Sequence, residues 1–134
     1  MKTNRLLNLF LSIILFTAYT STYAGSPTIS PDMLIGNWYA SEDHPEQGNI
    51  ETYFTINADN TFSGSMTIDD VSAWQYAGTW SLAGNKITWV YVESNIILLQ
   101  EDMADTDVII SVTDESLTYR SLRRDKESTL QRVR

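Results

Sequence analysis

The side chains with the most chemistry to offer are rings, gathered on one face of a hairpin that runs from Trp74 to Val92. Gly84-Asn85 sits between two alternating runs, and Gly supplies the left-handed backbone that a two-residue hairpin turn needs. That turn sets Leu82 opposite Ile87, Trp80 opposite Trp89, Gly78 opposite Tyr91 and Tyr76 opposite Glu93. Trp74, Tyr76, Trp80, Trp89 and Tyr91 then share one face, with the carboxylate of Glu93 at its end. Phe54, Phe62 and Met66 of the preceding hairpin are expected to lie opposite them. Such a set can line a pocket for an apolar or aromatic molecule, with polar Tyr and Trp tips and a rim carboxylate to orient it. Plain packed core is the preferred reading of the same face, because small barrels fill their interiors with side chains. Sequence alone leaves both readings open.

Other chemistries lack their residues. There is no Cys, which removes disulfides, thiolate catalysis and thiolate metal ligands. His44 is the only His, so neither a catalytic triad nor a His-rich metal site can form, and its acidic loop reads as solvated. Glu101-Asp102 with Asp105-Thr106-Asp107 is acidic enough for a hard cation, but its spacing fits no calcium loop, and a solvated connection is the reading adopted. No glycine-rich phosphate loop or nucleophile elbow is present. The expectation is therefore a protein with no catalytic residues, no metal and no cofactor.

The elements that must position the rings follow from the order of the chain. Lys2 and Arg5, the apolar stretch Leu6 to Phe16 and the small residues Thr22 and Ala24 read as a secretory signal peptide over residues 1–24. The mature domain is then 25–134, exported to the periplasm or beyond, with no stable membrane insertion once the leader is cleaved. Loss of Lys2 and Arg5 takes the formal charge from −8 to −10. Between residues 25 and 119, Lys86 is the only cation against fifteen Asp and Glu, whereas residues 120–134 hold six cations and two acids. The acidic bulk excludes nucleic acid and anionic membrane as natural partners, and the basic tail reads as a balance for acidic neighbours.

Ser30 to Leu34 reads as one helical turn, with Pro31 at its first position, Asp32 on its dipole and Gly36 to stop it. Strand one starts at Trp38, and residues 41–48 read as a loop. Ile50 to Ile68 is a hairpin whose apolar faces agree only if the loop is Ala58-Asp59-Asn60, which pairs Ile56 with Phe62, Phe54 with Gly64, Thr52 with Met66 and Ile50 with Ile68. Residues 94–106 read as a short strand at Ile96 to Leu99 and a turn at Glu101 to Thr106. Val108, Ile110 and Val112 alternate, and pairing Val112 with Leu117 and Ile110 with Tyr119 aligns them with the next strand. A charged turn at 123–127 precedes a last strand, Thr129 to Val133. The sum is an all-β chain, an antiparallel up-and-down β-barrel of about eight strands with a short N-terminal helical turn.

Gly36-Asn37-Trp38, placed after a helical turn at the start of strand one, resembles the Gly-x-Trp motif of lipocalins. The Phe54 to Phe62 hairpin with its Asp/Asn turn, the Gly78-Thr79-Trp80 strand leading to Trp89, and Arg132-Val133 on the last strand are similar to the small bacterial lipocalin-like domains. The resemblance implies a lipocalin-like barrel in which Trp38 closes one end and Arg132 lies across its ring, with Gly36, Trp38 and Arg132 as structural residues. The residues taken together read as an exported, non-enzymatic binding protein whose barrel, if not filled, holds a small apolar or aromatic ligand among Phe54, Phe62, Met66, Trp74, Tyr76, Trp80, Trp89, Tyr91 and Glu93. The alternative is a protein-interaction module, an inhibitor or accessory protein that docks a basic partner through acidic loops.

Overall fold

A computed structural model describes residues 28–96, 99 and 103–134. The expected leader, 1–24, lies outside these residues. One helical turn, α1 (Pro31–Leu34), precedes eight strands: β1 (Gly36–His44), β2 (Gly48–Ile56), β3 (Thr61–Ile68), β4 (Val71–Ala83), β5 (Lys86–Ser94), β6 (Ala104–Val112), β7 (Ser116–Ser121) and β8 (Lys126–Val133). Each strand pairs antiparallel with the next, and β8 returns to β1, so the sheet is a closed barrel. Closure satisfies the strand edges that an open meander would expose.

The turns follow their residues. The β2–β3 loop is Ala58-Asp59-Asn60 with Asn60 left-handed at φ 66°, and all four pairings expected across that hairpin are present. Asp59 accepts from both the backbone N–H (3.0 Å) and the hydroxyl (2.6 Å) of Thr61, which fixes the loop. Gly84 opens the β4–β5 turn at φ 64°. Asp69-Asp70 joins β3 to β4 with both residues left-handed, and the Asp69 carboxylate accepts the N–H of Asn49 at 2.9 Å.

Several boundaries differ from expectation. Strand β1 runs on to His44, so the loop expected over 41–48 shrinks to Pro45-Glu46-Gln47. Polar residues sustain a strand there because Asn49 on β2 donates to Ser41 Oγ (3.1 Å) and Asp43 Oδ1 (2.9 Å) across the pair. Strand β6 starts at Ala104, inside the stretch expected to be a turn, and β8 starts at Lys126 rather than Thr129. The strand expected at Ile96 to Leu99 falls largely outside the described residues; Ile96 itself is an exposed bend.

Three β-bulges change which side chains face inward. Ala73 is extra between the pairs Met66–Trp74 and Thr67–Ser72, Val92 between Gly78–Tyr91 and Ala77–Glu93, and Ile110 between Ile109–Tyr119 and Ser111–Thr118. A bulge bends and twists its strand, which a small barrel needs in order to close. Each also reverses the alternation beyond it. Tyr76 therefore pairs with Ser94 rather than Glu93, and Tyr119 with Ile109 rather than Ile110. Ile109 is 1% exposed while Ile110 points outward at 42%.

Candidate functional site

The two ends of the barrel are built differently. At the end carrying α1, Leu34 and Trp38 are completely buried, above Ile56, Phe62, Trp80, Ile87, Ile109, Leu117 and Leu130. The Trp38 indole donates to Leu34 O at 2.9 Å, tying the ring to the helical turn. Arg132 lies over the Trp38 ring, 4.1 Å from its centroid, and its guanidinium donates to Ile35 O (2.8 Å) and Met33 O (2.7 Å). Gly36, at φ 143°, leaves room for that guanidinium: a Cβ there would sit 2.5 Å from Arg132 Nη1.

Toward the other end the barrel encloses a cavity of about 290 Å³. Inward residues of β2 to β5 form its aromatic wall: Phe54, Met66, Trp74, Tyr76, Trp89 and Tyr91. Trp74 and Tyr76 have ring centroids 4.2 Å apart, Trp74 stacks towards Tyr91 at 6.1 Å, and Trp89 meets Phe54 edge-on at 4.9 Å. Gly64, between Phe54 and Tyr76 in the sheet, lets the Tyr76 ring lie against the β3 backbone where any side chain would collide with it.

The facing wall is polar. Asp105 and Asp107 on β6, Tyr119 and Ser121 on β7, and Arg123 and Arg124 in the turn after it stand there, while Leu34, Ile87, Ile109, Leu117 and Leu130 of the packed end form an apolar floor and Thr52 completes the lining. Asp105 and Asp107 face inward because β6 pairs Asp105 with Trp89 and Asp107 with Ile87. The Trp89 indole donates to Asp107 Oδ2 at 2.8 Å, and the Trp74 indole donates to Ser94 Oγ at 2.9 Å. Tyr91 OH donates to Asp105 Oδ2 at 3.3 Å, and Arg123 forms an ion pair with Asp105 at 3.3 Å. Burial pushes the Asp107 carboxyl above its ordinary range, opposed by its hydrogen bond from Trp89. Burial likewise raises the Tyr91 phenol, helped by Asp105, and the Tyr76 and Tyr119 phenols.

Six of the nine residues proposed from sequence as barrel lining thus meet at the cavity. Phe62 and Trp80 do not: they lie in the packed half, 2% and 5% exposed, with the Trp80 indole donating to Asn57 O at 3.1 Å. Glu93 is a correction. The Val92 bulge turns it out of the barrel, opposite Ala77, onto the rim of a shallow outer depression with Tyr53, Ser65 and Gln75. That depression, about 540 Å³, is larger but more open, and Tyr53, Ser63, Gln75 and Glu93 in it are exposed. The sequence reading missed Asp105, Asp107 and Tyr119 as lining, having taken the first two as a solvated connection. The usable signal was Asp105, Asp107 and Ile109 as an alternating set continuing the register of Ile87 and Trp89.

Among the described residues no group of three His, Cys, Asp or Glu could hold a metal ion, and no helix is long and apolar enough to cross a membrane. A closed eight-stranded meander, plugged at one end by a helical turn under an Arg-covered Trp and hollow toward the other, defines a barrel of the lipocalin and calycin class. Residues 34–119 match the family model for the lipocalin-like domain, and the chain belongs to that family. Comparison with curated proteins gives no significant match.

Proposed function

We propose that this is an exported, non-enzymatic binding protein that holds one small molecule with an apolar or aromatic body in the barrel. The observation that carries the reading is the cavity of about 290 Å³ walled by Phe54, Trp74, Tyr76, Trp89 and Tyr91. Its volume is at the small end of the range for ligand pockets, roughly 300–1,000 Å³. A cavity of about 150 Å³ admits benzene, so the space suits one ring with a short substituent. Export rests on the leader pattern of residues 1–24. The non-enzymatic reading draws support from the residues gathered at the cavity, which offer ring faces, phenols and ion-paired groups rather than a nucleophile with its base.

Intrinsic fluorescence tests it, because Trp74 and Trp89 are in the cavity wall. Titration with a panel of fatty acids and one- and two-ring aromatics is expected to give saturable, one-to-one quenching for the small aromatics. A flat response across the panel contradicts the reading. Mass spectrometry of the protein recovered from its host is expected to find Gly25 at the N-terminus; a chain beginning at Met1 contradicts export by cleavage.

A further inference from the structure

We propose that the ligand is an organic cation, a protonated amine on a short arm from a ring, with Asp107 as its counter-ion. The inference rests on the cavity reading above and narrows it. The cavity holds two carboxylates on one wall, and they differ in what they face. Asp105 has a cation, Arg123, at 3.3 Å, and also accepts from Tyr91 OH. Asp107 accepts only from neutral donors, the Trp89 indole at 2.8 Å and the Ser121 hydroxyl, and has no ion pair among the described residues. Arg124 favours the charged form of Asp107 only from the exposed rim, beyond ion-pair distance, so this carboxylate in a half-buried, ring-lined space has no paired cation, and an ammonium group entering the cavity supplies one.

The opposite wall suits the same chemistry. Trp74, Tyr76 and Tyr91 crowd within 4.2–6.1 Å of one another, and ring faces attract cations. The phenols report the sign of the local field: after burial, the strongest influence on Tyr91 is the negative charge of Asp105, and Asp107 adds to it. Arg124 works in the other direction from the rim, where it is exposed and donates to the Tyr119 phenol. Outside the cavity, the fifteen acids against one lysine between residues 25 and 119 draw cations toward the barrel and repel carboxylates.

Calorimetric titration with a matched set decides the matter: 2-phenylethylamine, 2-phenylethanol and 3-phenylpropionate at neutral pH. The amine is expected to bind at least tenfold tighter than the alcohol, and the carboxylate weakest of the three. Asp107→Asn, which keeps an acceptor for Trp89, is expected to abolish the amine's preference over the alcohol. Arg123→Gln, on an exposed side chain, leaves Asp105 unpaired and is expected to raise amine affinity; a fall contradicts the proposal. Glu115→Gln in the β7 turn at the plugged end is the charge-matched control and is expected to change nothing. Equal binding of amine and alcohol, or a preference that survives Asp107→Asn, overturns the proposal and leaves the cavity reading standing. Tightest binding by the carboxylate overturns it too and assigns the polar contact to Arg124. No binding by any of the three removes the cavity reading and this proposal together.

Discussion

The four tryptophans divide between two halves of the barrel that share one sheet and differ in what their indoles bond. Trp38 and Trp80 donate to backbone carbonyls, Leu34 O and Asn57 O, at the end plugged by α1. Trp74 and Trp89 donate to side chains, Ser94 Oγ and Asp107 Oδ2, in the cavity wall. A bond to backbone locks a ring to the fold, and a bond to a side chain leaves it adaptable. Burial separates one pair only: Trp38 is fully buried beneath Arg132 and Trp74 is half-buried, whereas Trp80 and Trp89 are both buried. On the function proposed above, the packed half carries the stability of the fold and the hollow half its recognition. Substitutions in the two halves should therefore fail in different assays.

The largest effect is expected at the plug. Trp38→Ala removes a completely buried ring, its bond to Leu34 and the surface beneath Arg132. A loss of about 3–5 kcal/mol is expected in urea unfolding. Arg132→Ala follows at about 2–3 kcal/mol, because it removes the contact over Trp38 and leaves the carbonyls of Met33 and Ile35 without their donor. Trp74→Ala is the counterpart in the hollow half. Its ring is partly exposed, so about 1–2 kcal/mol of stability is expected to go, while affinity for a bound aromatic falls at least tenfold. If Trp74→Ala costs as much stability as Trp38→Ala, the division between halves is wrong.

Asp107→Asn is expected to move stability the other way. The native fold raises this carboxyl above its ordinary value of 3.8, chiefly by burial. Asp105 adds to the rise, while Trp89, Arg124 and Ser121 oppose it. The folded chain therefore holds the proton more tightly than the unfolded chain does. Stability falls as pH climbs from 3.8 through the raised value, because the carboxylate must ionise in a site that disfavours it. The variant should melt above the parent at neutral pH, and the two should converge at pH 3 and below; a variant less stable at neutral pH contradicts this. Lys126→Ala is expected to do least. Its pair with Glu42, at 3.0 Å, joins two half-exposed side chains, so less than about 1 kcal/mol is at stake.

The sequence made the hairpins legible wherever a turn residue and an apolar alternation agreed. Asn60 and Gly84 adopt the left-handed backbone their types allow, and the pairings from Ile56–Phe62 to Ile50–Ile68 and from Leu82–Ile87 to Gly78–Tyr91 follow from those turns. The bulges were not legible, because an extra Val92 or Ile110 has the composition of any strand residue and nothing local marks it. Ile110 is an apolar residue turned to solvent, 42% exposed, where alternation sets it inward; Val92 faces out as alternation sets it, and the residue after it is the one misplaced. That single effect sent Glu93 outward and brought Asp105 and Asp107 inward, which moved the acidic side of the candidate site from one strand to another. The aromatic side was legible because rings recur on one face of β4 and β5. The split of that face into packed and hollow halves depends on where Leu34 and Trp38 sit in the closed barrel, which only the three-dimensional arrangement gives.

The most direct test of the division uses the four indole N–H signals in a proton–nitrogen correlation spectrum, assigned by single Trp→Phe variants and followed during titration with 2-phenylethanol. The account predicts that the Trp74 and Trp89 signals move in a saturable manner while those of Trp38 and Trp80 stay in place. Shifts of equal size at Trp38 and Trp80, or no shift at any of the four up to saturating ligand, would contradict it.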